Sequence, residues 1–136
     1  MTAYVDTSVL LRIVLAEPGR LRMWRSITRP IASELVRLES LRTIDRARIQ
    51  LGLDDREVAH RREAVLEQTD TFEIISLTPA VLERAAEPFP TVIGTLDALH
   101  LASALLARAE VPDLCFATHD RELAVAARAM GFEILR

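Results

Sequence analysis

The sequence predicts an α/β protein in which a central parallel sheet of about five short strands lies between helices on both faces, an α/β/α sandwich. Short apolar runs alternate along the chain with helical patterns, and this alternation is typical of a parallel sheet. The 136 residues suffice for one domain, and no repeat, low-complexity tract or Pro/Gly/Ser-rich linker divides them. We therefore predict a single domain over residues 1–136.

The first half of the chain is predicted to contain two strands and four helices. Ser, Thr and Asp mark the helix starts because their side chains accept hydrogen bonds from the free N–H groups of the first turn. In chain order the elements are a strand at Ala3–Val5, a helix capped by Asp6, Thr7 or Ser8 and ending near Pro18 and Gly19, a short helix at Leu21–Ile27, a strand from Pro30, a long helix capped by Ser33 and ending near Leu51, and a helix from Asp54 or Asp55.

The second half repeats the alternation of strand and helix. Proline is expected in the first turn of a helix and glycine directly after its end. In chain order the elements are a strand at Phe72–Leu77, a helix from Pro79, an alanine-rich helix at Leu96–Ala109, a strand at Leu114–Ala117, a helix at Arg121–Met130 stopped by Gly131, and a closing strand at Phe132–Leu135.

The basic residues restrict the possible chemistry. The sequence contains no lysine, so all 17 of the basic residues are arginines. A P-loop requires lysine after its glycines, and a Schiff-base enzyme requires an amine nucleophile. Both classes are excluded. Two explanations of the arginine content are equally good: a coding bias, and a functional preference for bidentate contacts with phosphate.

The net charge of −3 argues against a protein that coats nucleic acid nonspecifically, because such proteins carry a basic surface. It is compatible with a nuclease, in which acids that bind metal lower the total charge. Two local groups of arginines are candidates for contact with a phosphate backbone, or for ordinary helix surface. They are Arg20, Arg22, Arg25 and Arg29, and Arg42, Arg46 and Arg48.

The single cysteine, Cys115, lies in an apolar run that predicts a buried strand. One cysteine cannot form an internal disulfide, which fits a reducing cytoplasm. The run Val9–Ala16 is interrupted by Arg12 and is far shorter than the roughly 20 residues that span a bilayer. We expect a cytoplasmic protein with neither a signal peptide nor a membrane span, while the apolar half of the composition favours a homodimer.

Several acids occur where a parallel sheet places its functional site, outside the carboxyl ends of the strands. Asp6 follows the first strand and Asp120 follows the fourth, although either residue alone is also a typical helix cap. Asp97 lies in the first turn of a helix made largely of Leu and Ala, where the helix dipole also favours an acid. His100, one turn later, and His119 are more typical of structural histidines than of ligands. Periodicity alone does not distinguish Glu39 from other acids.

Four segments together resemble the PIN-domain family, and specifically the VapC toxin ribonucleases of toxin–antitoxin pairs. The resemblance covers nearly the whole chain, with the segments in family order and at family spacing. His119 departs from the pattern, since relatives often carry Tyr or Asn there. The segments are Tyr4–Leu10, Ser33–Glu39, Leu96–Ala102 and Ala117–Leu123, the last followed by Ala126–Phe132.

The resemblance implies a metal-dependent endoribonuclease in which Asp6 and Asp97 are the principal ligands of Mg²⁺, or of Mn²⁺. Asp120 and Glu39 complete the site directly, through water or by positioning a second ion. Carboxylate oxygens are the ligands that such hard cations prefer, whereas zinc is disfavoured. Ser8 and Thr118 are candidates to orient an acid or a water. The implied partners are an RNA substrate and a small antitoxin that inhibits the enzyme.

Two other functions remain open at this stage. One is a PIN-like module that binds RNA or protein without cleaving it, although retention of all four acids argues against this. The other is an aspartyl-phosphate hydrolase with Asp6 as nucleophile. That class usually carries a second Asp two positions later, where this chain has Ser8, and a supporting lysine, which this chain lacks.

Overall fold

The computed structural model of the protein describes residues 1–15 and 18–136. Within these residues, strands and helices alternate along the chain, and the predicted α/β class is confirmed. The strands are β1 (Thr2–Val5), β2 (Arg29–Ser33), β3 (Glu73–Ile75), β4 (Cys115–Ala117) and β5 (Ile134–Leu135). The helices are α1 (Thr7–Val14), α2 (Leu35–Leu51), α3 (Asp55–Asp70), α4 (Pro79–Ala86), α5 (Thr95–Glu110) and α6 (Arg121–Ala129), with a short 3₁₀ turn at Trp24–Ser26.

All five strands form one parallel sheet in the order β3-β2-β1-β4-β5. The chain therefore builds outward from β1 in one direction through β2 and β3, and then returns to the other side of β1 with β4. In open α/β sheets, ligands bind at such a switch in strand order, outside the carboxyl ends of the strands. Val5 is in register with Ala117, so β1 and β4 end side by side at this position.

Alternate residues of the central strands face opposite sides of the sheet and belong to two separate hydrophobic clusters. On one face, Ala3 and Val5 of β1 belong to a buried cluster with residues of α1 and α2. On the other face, Tyr4 and Phe116 are stacked with ring centroids 5.1 Å apart, in a cluster that includes α5 and α6. Because both faces are covered, the central strands β1 and β4 are almost completely buried, as is typical of parallel strands. Among the described residues, no helix is both long enough and apolar enough to cross a membrane.

The structure corrects several predicted boundaries. The helix predicted at Leu21–Ile27 is wrong, since only the 3₁₀ turn at Trp24–Ser26 forms. A seven-residue segment is too short to be a stable helix by itself, and burial of Leu21 together with partial burial of Trp24 anchors it in the core. Helix α1 ends at Val14, before Pro18, and the intervening residues 16 and 17 lie outside the described part of the chain.

The strand predicted at Phe72–Leu77 is limited to Glu73–Ile75, and the closing strand is limited to Ile134–Leu135. Each is an edge strand, so pairing on one side alone determines its length. Ser33 was predicted to cap α2 but ends β2, although its hydroxyl still accepts a hydrogen bond from the N–H of Leu35.

The start of α3 has a complete capping box. The Asp54 side chain accepts from the N–H of Glu57 at 2.8 Å, and the Glu57 side chain accepts from the N–H of Asp54 at 3.0 Å. This arrangement satisfies two donors that have no partner within the helix. It fixes the start of α3, whose Val58 and Val65 pack against Ile44 of α2.

We expect Asp54→Ala to lower the free energy of unfolding by about 1 kcal/mol, because the cap hydrogen bond is lost. Urea unfolding followed by circular dichroism measures this change. Glu63→Ala, at an exposed position within the same helix, is the matched control and should leave the midpoint nearly unchanged. Equal midpoints for Asp54→Ala and the wild type would contradict the role of the cap.

Candidate active site

Four carboxylates from distant parts of the chain line one cavity of about 580 Å³ at the carboxyl ends of β1 and β4. The parallel sheet explains why two of them meet, since Asp6 follows β1 and Asp120 follows the neighbouring β4. Glu39 reaches the cavity from the first half of α2, and Asp97 from the first turn of α5. The structure thus brings all four sequence-predicted acids to the same cavity.

Asp6 is the most buried of the four acids, with 4% of its surface exposed. Its Oδ1 accepts hydrogen bonds from the hydroxyl of Ser8 at 2.6 Å and from the N–H of Val9 at 3.3 Å. Its Oδ2 accepts from the hydroxyl of Thr118 at 2.7 Å, and its own N–H donates to the carbonyl of Ala117 at 3.1 Å. The side chains of Ser8 and Thr118 therefore hold the Asp6 carboxylate in one orientation.

Asp120 and Asp97 are more open to solvent. Asp120 caps α6 by accepting, through Oδ1, from the N–H of Leu123 at 2.9 Å, and its own N–H donates to the hydroxyl of Thr118 at 3.0 Å. Asp97 is half-buried, and none of its carboxylate oxygens has a hydrogen-bond partner among the described residues. Gly94, rather than Asp97, occupies the cap position of α5. Asp97 is thus available to a ligand.

The carboxylate of Glu39 contacts a buried histidine, His100. The Glu39 Oε1 lies 2.5 Å from Nε2 of His100 and also accepts from the hydroxyl of Thr7 at 2.7 Å. On its other side, Nδ1 of His100 lies 2.8 Å from the hydroxyl of Tyr4, which accepts from the N–H of Ser33 at 3.2 Å. A continuous polar chain thus connects β1, α5 and α2 beneath the cavity.

The pKa values of the acids in the cavity reflect burial and the groups that contact each acid. Burial raises the pKa of Asp6 despite its hydrogen bonds. Burial also raises the pKa of Asp97, and the neighbouring Asp120 raises it further, with smaller contributions from Asp6 and Glu39. Burial likewise opposes ionisation of Glu39, but the contacts with His100 more than offset this effect, so the pKa of Glu39 is lowered.

The four acids are not neutralised by arginine. Among residues 1–15 and 18–136, no arginine forms an ion pair with Asp6, Glu39, Asp97 or Asp120. Such a group of carboxylates destabilises the protein unless a cation offsets the repulsion. The oxygen donors suit a hard divalent ion such as Mg²⁺ or Mn²⁺.

The spacing limits how many carboxylates bind one ion directly. In the described part of the chain, no three His, Cys, Asp or Glu side chains are grouped closely enough to hold a metal ion together. Mg²⁺ commonly retains several waters and takes only one or two carboxylates from the protein, together with substrate phosphates. The donor set therefore fits such an ion when the remaining acids act through water.

Arginines of α2 line the same cavity. Arg42 and Arg46 follow Glu39 by three and seven residues on this helix and share its cavity-lining face, with Thr43 between them. Arg42 forms an exposed ion pair with Asp45 at 3.2 Å. Arg48, the third arginine of this predicted group, instead pairs with Asp55 and lies outside the cavity. The cavity thus combines carboxylates with a basic wall.

Sequence reasoning did not find the roles of Tyr4, Thr7 and His100. The spacing of His100, three residues after Asp97, was the available signal, but it indicates equally well a structural histidine on an apolar helix. The partners become evident only when β1, α2 and α5 are packed together. The backbone N–H of His119 donates to the hydroxyl of Ser8 at 2.8 Å, and its ring Nε2 is buried without a partner among the described residues. Burial lowers the pKa of His119, as do the charges of Arg12 and Arg136.

The protein is an α/β protein with a five-stranded parallel sheet and a cluster of acids at the carboxyl ends of its central strands. The family model of the PIN domain matches residues 3–129. The chain therefore belongs to the PIN-domain family.

Its relatives include ribonucleases of Mycobacterium tuberculosis (strain CDC 1551 / Oshkosh). Ribonuclease VapC47 is 30% identical over 136 aligned positions, which cover 95% of this chain and 92% of that protein. Ribonuclease VapC35 is 32% identical over 138 positions, covering 97% and 94%. Among solved structures, a toxin–antitoxin complex from Klebsiella pneumoniae shares the fold with a TM-score of 0.68 at 17% identity, over 99% of this chain and 97% of that chain.

The raised pKa of Asp97 predicts a pH-dependent stability. The folded protein binds the Asp97 proton more tightly than the unfolded chain does, so stability falls as the pH rises from about 3.9 through the raised pKa. We expect Asp97→Asn to remove this loss and to melt at a higher temperature than the wild type at pH 7 in EDTA, with the difference narrowing towards pH 4. Thermal melts across this range measure it.

The matched control is Asp113→Asn, an exposed acid that does not line the cavity. It should follow the wild-type pH profile. Parallel profiles for Asp97→Asn and the wild type would show that burial and the neighbouring Asp120 do not raise the pKa of Asp97.

Proposed function

We propose that this protein is a Mg²⁺-dependent endoribonuclease, the toxin of a toxin–antitoxin pair, and that it hydrolyses RNA phosphodiester bonds. The observation that carries the proposal is the cavity in which Asp6, Glu39, Asp97 and Asp120 meet without an arginine counter-ion among the described residues. Membership of the PIN-domain family and the ribonuclease names of its relatives support the same activity.

In this proposal Asp6 and Asp97 are the principal ligands of Mg²⁺ or Mn²⁺, and Asp120 and Glu39 contribute directly, through water or at a second ion. When bound, such an ion supplies a water of lowered pKa and neutralises charge on the phosphate oxygens. Ser8 and Thr118 keep the Asp6 carboxylate oriented through hydrogen bonds of 2.6 and 2.7 Å. Their contribution is to fix a carboxylate that is otherwise free to rotate.

Arg42 and Arg46 are proposed to hold the RNA backbone. They lie about 6 Å apart along the axis of α2, since a helix rises roughly 1.5 Å per residue. Both line the cavity that also contains the acids. Guanidinium groups bind phosphate in a bidentate manner, so a pair at this spacing suits phosphates next to the scissile one.

The antitoxin and the homodimer also belong to the proposal. A structural neighbour is a toxin–antitoxin complex, which supports an antitoxin partner. A homodimer is supported by exposed apolar side chains, including Leu82 on α4 and Val92 before α5, which line one apolar groove. A cytoplasmic location stays a prediction.

A second candidate function is a PIN module that binds RNA or protein without cleaving it. The observation that favours it is the spacing of the acids, no three of which are grouped closely enough in the described chain to hold one ion. The two functions differ in whether a divalent ion binds and whether RNA is cut.

We expect Mg²⁺ or Mn²⁺ to raise the melting temperature of the wild type and to support cleavage of RNA. Asp6→Asn and Asp97→Asn should each abolish both effects, because each removes a charged ligand of the ion. Differential scanning calorimetry and gel analysis of a mixed RNA substrate provide the two measurements.

Asp113→Asn serves again as the control and should retain both the thermal shift and cleavage. A shift that persists in both Asp6→Asn and Asp97→Asn would refute the ligand assignment. Binding of RNA by the wild type without cleavage at any Mn²⁺ concentration would favour the second candidate.

We expect Arg42→Ala and Arg46→Ala, each made in the Asp97→Asn background to prevent cleavage, to weaken binding of single-stranded RNA. Each should also reduce the slope of log affinity against log salt concentration by about 0.7, the value for one lost phosphate contact on a single strand. Fluorescence anisotropy at several salt concentrations measures both quantities. Arg48→Ala removes an equal charge from the same helix outside the cavity, and a loss equal to that of Arg42→Ala would point to a nonspecific charge effect.

A further inference from the structure

The polar chain beneath the cavity joins β1, which ends directly before Asp6, to α5 and α2, which carry Asp97 and Glu39. Its central member, His100, is only 2% exposed and lies one turn after Asp97 on α5. Tyr4 lies two residues before Asp6 on β1 and is fully buried. Glu39 closes the chain on α2. A buried imidazole is costly unless its nitrogens are hydrogen-bonded, and here both nitrogens have partners.

The hydrogen bonds define which nitrogen of His100 carries the proton. The hydroxyl of Tyr4 accepts from the N–H of Ser33, so its own hydrogen is free to be donated to Nδ1 of His100. Burial raises the pKa of Tyr4, which keeps this hydroxyl protonated. An ionised carboxylate only accepts hydrogen bonds, so the Nε2 that contacts Glu39 must carry a proton. There it is donated to Oε1 of Glu39.

Both protein donors to Glu39 bind the same oxygen. His100 and Thr7 donate to Oε1, and among the described residues Oε2 has no protein partner. Glu39 lines the cavity, so the oxygen left without a partner is the one available to an ion or to its water. A glutamate has three rotatable bonds, and fixing one oxygen from two directions removes most of this freedom before a ligand arrives.

We propose that His100 is a positioning residue that orients the Glu39 carboxylate through its Nε2–H, and that Tyr4 holds the ring in place through its contact with Nδ1. This inference rests on the proposed function for its effect on metal binding and cleavage, but the hydrogen-bonded arrangement itself does not depend on that function. Carboxylates that bind a metal ion are commonly hydrogen-bonded by a second residue, and changes at such partners lower metal affinity or activity by about 10- to 100-fold.

The arrangement can be measured without metal or RNA. In protein labelled with ¹⁵N-histidine, we expect one ring whose Nε2 carries a proton and whose Nε2 signal moves in Glu39→Gln. In Tyr4→Phe the Nδ1 signal of the same ring should move, because the hydrogen-bond partner of Nδ1 has been removed. An Nε2 of His100 that is unprotonated in the wild type, or unaffected by Glu39→Gln, would overturn the proposal.

Two substitutions at His100 separate positioning from packing. A glutamine amide reaches the position of Nε2, so His100→Gln keeps a donor to Glu39, whereas an asparagine amide reaches only the position of Nδ1. We expect His100→Asn to weaken Mn²⁺ binding by about 10- to 100-fold, measured by calorimetry, and to lower kcat for RNA. His100→Gln should restore most of the affinity.

The double variant His100→Asn/Glu39→Gln should bind Mn²⁺ no more weakly than Glu39→Gln alone, since both changes disrupt the same contact. Additive losses, or wild-type affinity in His100→Asn, would contradict the positioning role. If His100→Asn fails to fold, the ¹⁵N experiment on the wild type and Glu39→Gln decides the question. If the wild type neither binds Mn²⁺ nor cleaves RNA, the proposed function fails, while the ¹⁵N signals still report whether His100 holds Glu39.

Discussion

The site depends on the hydrogen bonding of one buried carboxylate. Asp6 is almost inaccessible to solvent, and burying an ionised carboxylate without partners is strongly unfavourable. Its donors come from α1, through Ser8 and Val9, and from the end of β4, through Thr118. The bond from Thr118 requires β1 and β4 to be adjacent and to end at the same level, which the parallel register of Val5 with Ala117 provides. The fold and the orientation of Asp6 are therefore parts of the same arrangement.

Placing several acids in one cavity is unfavourable for the folded protein, as the pKa of Asp97 indicates. Asp97 has no protein donor among the described residues, and its pKa is raised by burial and by Asp120. Arg42 and Arg46 are close enough to line the same cavity, yet in the part of the chain that the structure describes neither forms an ion pair with any of the four acids. Arginine neutralisation of the acids would stabilise the protein but would occupy the oxygens that a divalent ion requires. The distribution of charge therefore leaves the acids available to a ligand and lowers the stability of the protein without one.

Much of the fold follows from local sequence signals. The strand and helix order, the helix start at Asp54 or Asp55 and the end of α2 near Leu51 were predictable because each depends on residues close in sequence. Asp6 and Asp120 were predictable as site candidates because position at a strand end is also local. The helix predicted at Leu21–Ile27 failed because a segment of this length is not a stable helix by itself, and only the turn at Trp24–Ser26 forms. The partners of Glu39 were not predictable, since Thr7 and His100 lie 32 and 61 residues away from it.

For Asp120 and Glu39, a structural role and a functional role are compatible. Asp120 caps α6 through Oδ1, and Glu39 is held by His100 and Thr7 through Oε1. In both residues the protein binds one oxygen, and among the described residues the second oxygen has no protein partner. A cap or a buried hydrogen bond fixes the side chain, and a fixed carboxylate loses less entropy when it binds an ion. A histidine that is fully satisfied in the core, as His100 is, suits this purpose because its burial keeps the geometry constant.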